Sequence, residues 1–188
     1  MSRVVARRLE PEDLPYRVDW FNSPEIHSQM TIETPISLAT TRQWFTRHQM
    51  NERRRDFTFL ESPDESPGTP IAMGGLLDID GVHGHAELYI LVAPGRSGQG
   101  YGSRATRWLC NFGFVVLELH RVYLYTLHTN PGARKMYERI GFTHEGILRE
   151  HVRHQGARVD RHVQSILRSE WERLSWRQDA PLSFEVAP

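Results

Sequence analysis

At 188 residues, 39% of them hydrophobic and 24% charged, the chain suits one globular domain with a substantial core of its own. Lysine plus arginine balance aspartate plus glutamate at 23 each, so no overall field draws it to nucleic acid or to an anionic membrane surface. A single cysteine, Cys110, excludes an internal disulfide and fits a reducing cytoplasm.

The opening MSRVVARRLEPED is charged and interrupted by Pro11, with no apolar core of signal-peptide length. Nowhere do about 20 apolar residues run together, so a soluble, cytoplasmic protein without a membrane partner is expected. Residues 3–9 read as a first strand, and Pro11-Glu12-Asp13 opens a helix towards Asn22 that Ser23-Pro24 breaks. A second helix is expected from about Ser37 to Met50, with Leu38, Trp44, Phe45 and His48 inward, then a strand at Phe57–Leu60. Residues 61–70 (ESPDESPGTP) form a polar, proline-rich loop. Runs at 71–80 and 85–92 flank Gly81–Gly84 as a hairpin. After the glycine-rich turn Gly95–Gly102, apolar residues from Ala105 through Val115, Val116 and Leu119 recur at helical spacing over 103–119. A strand at 121–127, a helix at 131–140 stopped by Gly141, and a hairpin at 143–152 and 158–167 turning at His154–Gly156 complete the order. The fold class is mixed α/β: a twisted mixed sheet of about six to seven strands flanked by about four helices. The domain is expected over residues 1–174, with a tail at 175–188.

Two segments carry the chemistry. The first is the strand ending Val92-Ala93-Pro94, the turn Gly95-Arg96-Ser97-Gly98-Gln99-Gly100-Tyr101-Gly102, and a helix. A glycine-rich loop entering a helix N-terminus offers unpaired N–H groups and the positive end of the dipole, which suit phosphate oxygens; an ordinary turn uses similar residues. The second is Asn130-Pro131-Gly132-Ala133-Arg134-Lys135-Met136-Tyr137-Glu138-Arg139-Ile140-Gly141-Phe142, after an apolar strand. Read alone, Asn130 is a helix N-cap and Tyr137 a packed helix residue.

In this order and spacing the two segments resemble the GNAT family of acyl-CoA-dependent N-acyltransferases, over about Ile71–Leu167. The segments Leu119–Leu124 and Glu145–Glu150 resemble the branch that holds ribosomal-protein N-terminal acetyltransferases and spermidine N-acetyltransferases. The resemblance implies acetyl-CoA as acyl donor, its pyrophosphate held by Arg96, Ser97, Gly98, Gly100, Tyr101, Gly102 and Ser103. It implies Asn130 and Arg134 on the pantetheine side, with Leu91 and Val92 on a strand that splays from its neighbour. Ser97 departs from the pattern, since the family usually has Gln or Arg there.

Transfer to an amine needs a proton acceptor, a polarised carbonyl and a proton for the leaving thiolate. The resemblance implies Tyr137 as the acid; Glu87 is the carboxylate best placed as base, with His85 and His120 behind it. Trp20, Glu25 and Glu33 are candidates for the acceptor site; Arg53-Arg54-Arg55 reads as a solvated helix end rather than a nucleic-acid patch, with a place beside the acceptor as the alternative. The acceptor is expected to be a small-molecule amine (polyamine, amino sugar or aminoglycoside-like) or else a peptide N-terminus; a CoA-binding sensor without turnover is the third reading. Among His144, His151, His154 and His162 no pair sits at a familiar ligand spacing with a third partner, so no metal is expected, and a homodimer is expected from family habit alone.

Overall fold

A computed structural model describes residues 3–62 and 68–178. The strands are β1 (Arg3–Arg8), β2 (Arg55–Ser62), β3 (Thr69–Asp80), β4 (His85–Val92), β5 (Arg121–Leu127), β6 (Thr143–His154) and β7 (Ala157–Leu167). The helices are α1 (Leu14–Asn22), α2 (Pro24–His27), α3 (Leu38–His48), α4 (Tyr101–Asn111), α5 (Pro131–Ile140) and α6 (Arg168–Trp171). All seven strands form one sheet in the order β1-β2-β3-β4-β5-β7-β6, antiparallel except for the β4–β5 pair.

Local chemistry sets most boundaries. Ser23 ends α1 and its hydroxyl accepts the Ile26 N–H, so α2 begins at Pro24 with its missing donor at a position that needs none. Ser37 and Thr40 form a reciprocal capping box at the start of α3. Gly141, at φ 119°, takes the left-handed conformation that ends α5. The expected helix over 103–119 differs: α4 begins at Tyr101, ends at Asn111 and widens into a π-type turn over Phe112–Val116. That turn rotates Val115 and Val116 outward, at 53% and 48% exposure, while Phe114 and Leu119 stay buried.

Side-chain alternation along β4 separates two cores. Ala86 and Leu88, with Ile90 and Val92, pack towards α4 and α5 in a cluster that holds Phe57, Phe59, Trp108, Leu109 and Phe114. Leu91 faces the other way, with Met73, against Leu14, Trp20, Phe21 and Ile26 of α1 and α2. By that period Glu87 and Tyr89 belong on the α1–α3 side. Cys110 is fully buried in the first core, as expected of a small apolar residue.

The chain stays packed past 174. Trp171 donates to Asn111, and Trp176, in a short turn at Ser175–Arg177, is buried and donates to the Ile140 carbonyl. The rest of the expected tail, residues 179–188, lies outside the described residues, as do residues 63–67 of the expected polar loop. Among the described residues no helix is long and apolar enough to cross a membrane.

Candidate active site

β4 and β5 pair only at His85–Arg121, Ala86–Val122 and Glu87–Tyr123, although the strands run on to Val92 and Leu127. Beyond Glu87 they part. A cleft of about 890 Å³ opens there, lined by Leu88–Val92 of β4, Tyr125–Leu127 of β5, the turn before α4, the start of α5 and the inner faces of α1 and α3.

The glycine turn forms one end. Gly98 and Gly100 have φ of 78° and 84°, conformations that side chains resist, and Gly100 is the N-cap of α4 with no side chain to fill its own first turn. The first intrahelical donor is Arg104, bonded to the Gly100 carbonyl, so the N–H groups of Tyr101, Gly102 and Ser103 precede it and are left for a ligand. A Cβ on Gly102 would meet Val92 and Met136 at 3.3 and 3.4 Å, which fits the loop closely against β4 and α5. These features fit a cradle for the pyrophosphate of a CoA thioester.

The loop's side chains are engaged differently from the expectation. The Ser97 hydroxyl and the Gly95 N–H both donate to the Glu25 carboxylate at 2.8 Å. Those bonds, the Gly95 N–H first and the Ser97 hydroxyl second, hold the Glu25 carboxyl below its ordinary range. Arg96 lies 3.7 Å from Glu61, whose carboxylate also accepts the Tyr101 hydroxyl at 2.6 Å. Thus the serine in place of the usual Gln or Arg becomes a tether between α2 and the loop.

Tyr137 lies on α5, buried edge-on to Phe142, and its ring lines the cleft. Burial, and secondarily the neighbouring Cys110, raise its phenol well above the ordinary value. Asn130 caps α5 by accepting the Ala133 N–H at 3.1 Å and donates to Gln29 at 3.2 Å; both residues line the cleft. Glu87 stands at the last paired rung, where the strands part. Desolvation raises its carboxyl above the usual value, Asp78 adds to the rise, and Arg161 and Arg54 oppose it. Asp78 comes close because β3 bulges between Leu77 and Asp80, with Asp78 at φ 47°.

The fold therefore brings Tyr137, Glu87, Leu91, Val92, Arg96, Ser97, Gly98, Gly100, Tyr101, Gly102, Ser103 and Asn130 to one cleft. Arg134 is not among its lining; its guanidinium points to Glu138, 3.7 Å away, one helical turn on. None of the three acceptor candidates lines it either: Trp20 is buried in the α1–α2 core, Glu25 is tied to the glycine turn, and Glu33 is exposed. His85 and His120 also lie outside the lining.

Sequence reasoning missed the arginines at the end of the cleft away from the glycine turn. Arg54, read as part of a solvated run, makes a two-pronged bond to Asp56 at 2.6 and 2.9 Å and lies over Trp44 and Tyr89. Arg17 lies over Phe21 and Trp44, and Arg161 over Tyr125. The histidines group in two places off the cleft. His162, buried, contacts His128 and His144 ring to ring at 3.1 and 3.0 Å. Asp80, His83 and His85 bring ligand-type atoms within 4.8 Å of one another at the β3–β4 turn.

Comparison with known proteins agrees with this geometry. Residues 3–143 match the model of the acetyltransferase (GNAT) domain. The chain belongs to the GNAT family. It is an acyl-CoA-dependent N-acetyltransferase of that family. It is 28% identical over 170 residues to a spermidine N(1)-acetyltransferase of Vibrio cholerae, covering 90% of this chain and 96% of that one. It is 34% identical over 174 residues to a Bacillus subtilis protein named as a putative ribosomal N-acetyltransferase, covering 91% and 94%. The crystal structure of the Vibrio cholerae spermidine N-acetyltransferase in complex with CoA and spermine superposes with a TM-score of 0.80 at 28% identity, over 89% of this acetyltransferase and 96% of that chain.

Proposed function

We propose that this acetyltransferase moves an acetyl group from acetyl-CoA to the primary amine of a small molecule, by direct attack with both substrates in the cleft. The observation that carries the reading is the parting of β4 from β5 beside Glu87, with the Gly98–Ser103 cradle and Tyr137 on the same cleft. Acetyl-CoA supplies an activated carbonyl carbon on a thiol leaving group. Glu87, its carboxyl raised by desolvation, takes the proton that the attacking ammonium must lose, directly or through water. As the C–N bond forms and the C–S bond breaks, the Tyr137 phenol gives its proton to the departing sulfur, and the second proton shed by the acylated nitrogen restores the phenol. The backbone N–H of Val92, which turns away from β3 into the cleft where β5 no longer pairs with β4, polarises the carbonyl. The Gly98–Ser103 turn and Asn130 hold the donor; Arg96, already paired with Glu61, adds charge at its rim.

Polyamines, amino sugars and aminoglycoside-like compounds share the required amine. The spermidine N-acetyltransferases among the relatives support a small-molecule acceptor. The 34% identity to the putative ribosomal N-acetyltransferase favours a second reading, an N-terminal amine of a protein or peptide.

Calorimetric titration with acetyl-CoA, beside Gly100→Asp, tests the donor site. A carboxylate at φ 84° on the α4 N-cap is tolerated by the helix dipole but repels the pyrophosphate, so binding is expected in wild type and lost in the folded variant. Thiol release with small amines and with peptides then separates the two acceptor readings. No heat from wild type would overturn the donor assignment.

A further inference from the structure

The side chains lining the cleft include six arginines, Arg17, Arg54, Arg96, Arg107, Arg139 and Arg161, against one carboxylate, Glu87. Arg96 leans on Glu61 beside the glycine turn, and Arg107 lies over Trp176 behind α4. Three stand at the other end, on the α1–α3 side with Glu87 and Tyr89. Two of these have anionic company: Arg54 is gripped by Asp56, and Glu87 acts on Arg161.

Arg17 has none. It is 7% exposed, and its Nη1 is out of solvent with no hydrogen-bond partner. Its guanidinium lies between the rings of Phe21, 4.6 Å away on the same face of α1, and Trp44, 4.2 Å away on α3. The two rings lie within cation–π range of the guanidinium and offer its N–H groups no hydrogen-bond acceptor. Asp56 accepts no hydrogen bond from it: that carboxylate receives Arg54 twice and the Tyr89 hydroxyl. Arg17 acts electrostatically on Tyr89, which places it on the Glu87 side of the sheet. A buried guanidinium N–H group without an acceptor, flanked by two rings on the wall of a binding cleft, is a site prepared for an oxyanion.

We infer that the acceptor of this acetyltransferase is a small amine that also carries an oxyanion, carboxylate or phosphate, bound at the edge of Arg17 with Arg161 across the cleft. The inference rests on the cleft being the acetyl-transfer site and selects within the small-molecule class. It disfavours polycations, whose second ammonium would meet the arginines. A phosphorylated amino sugar and an ω-amino acid both have the required pair of groups.

The test compares matched acceptors by thiol release: glucosamine 6-phosphate against glucosamine, γ-aminobutyrate against its carboxamide, and spermidine beside them. The expected result is kcat/KM roughly tenfold to a hundredfold higher for one anionic member over its neutral partner, mainly through KM. The pair that responds distinguishes phosphate from carboxylate. Arg17→Met abolishes the preference and Arg17→Lys keeps part of it, while acetyl-CoA affinity is unchanged in both. In parallel, wild type saturated with CoA is titrated with inorganic phosphate and with acetate. Saturable binding that Arg17→Met removes is expected, and this arm decides where no amine in the panel turns over. Preference for spermidine or the neutral partners overturns the inference and leaves the transferase reading intact, as does an anion preference that survives in Arg17→Met. Failure of acetyl-CoA to bind overturns the reading beneath it.

Discussion

Replacing Tyr137 by Phe separates chemistry from architecture because the ring packs in the fold while the proposed proton transfer uses only the hydroxyl. The ring is buried at 6% exposure and packs edge-on to Phe142 at a centroid distance of 5.6 Å, so Phe retains nearly all of its burial. The hydroxyl makes no hydrogen bond to a described residue, and removing it leaves no protein group unpaired. Stability should therefore change by less than about 0.5 kcal/mol, a Tm shift under about 2 °C for a chain of this size. Loss of a positioned acid, by contrast, costs a factor of about 10²–10⁴ in rate, or roughly 3–5 kcal/mol at the transition state. Burial holds the phenol protonated throughout the working range, so the deficit should be uniform from about pH 6 to 9. The assay is initial-rate thiol release with saturating acetyl-CoA, with a thermal melt of the same preparation. A kcat within about threefold of wild type, or a melt that falls in step with the rate, would refute the assignment of proton donation to Tyr137.

Glu87→Gln should lower kcat and remove the acidic limb of the pH–rate profile. Because desolvation raises the Glu87 carboxyl, that limb should lie above the ordinary glutamate range, and a limb unchanged in the variant would transfer the base role elsewhere. Glu145 is held to about 2 by its two-pronged bond to Arg121 and by the Ser165 hydroxyl. Its folded value lies below the unfolded one, so its contribution is full above the ordinary carboxylate range and fades as pH falls towards 2. Both side chains are about a third exposed, so Glu145→Gln should cost no more than about 1 kcal/mol at pH 7 and nothing near pH 2, read by denaturant melts. Gly141→Ala forces a Cβ into φ 119° and to 2.9 Å from a terminal methyl of Leu174. The backbone strain dominates at about 1–2 kcal/mol, seen as a Tm about 2–8 °C lower.

Local signals carried far in this chain. Ser23-Pro24, Ser37, Asn130-Pro131 and Gly141 mark helix ends by hydrogen bonding and backbone freedom that act within a few residues, and the structure places each where the sequence does. The glycine turn and the Asn130–Tyr137 segment are legible for the same reason. The π-type turn at Phe112–Val116 was not, since its apolar spacing matches an uninterrupted helix and only packing against the sheet selects the wider turn. The acceptor end was the least legible part. Glu25 looks like a free carboxylate until folding brings Gly95 and Ser97 to it from 70 and 72 residues away. Arg17, Arg54 and Arg161 come from α1, the residue before β2, and β7, so no window of sequence contains their joint field.

The parting of β4 from β5 also has a consequence for amide exchange. From Leu88 to Val92, every other residue of β4 turns its N–H and C=O away from β3 into the cleft, without the rung that β5 supplies up to Glu87. Within the fold these are sheet amides paired with neither neighbouring strand. An amide-bearing donor lying between the strands takes the place of that missing rung, as an added strand would. Exchange of these few β4 amides with deuterated solvent should therefore slow on saturation with CoA. The β1–β2 ladder, already paired on its whole length from Arg3 to Arg8, should exchange at the same rate with and without it.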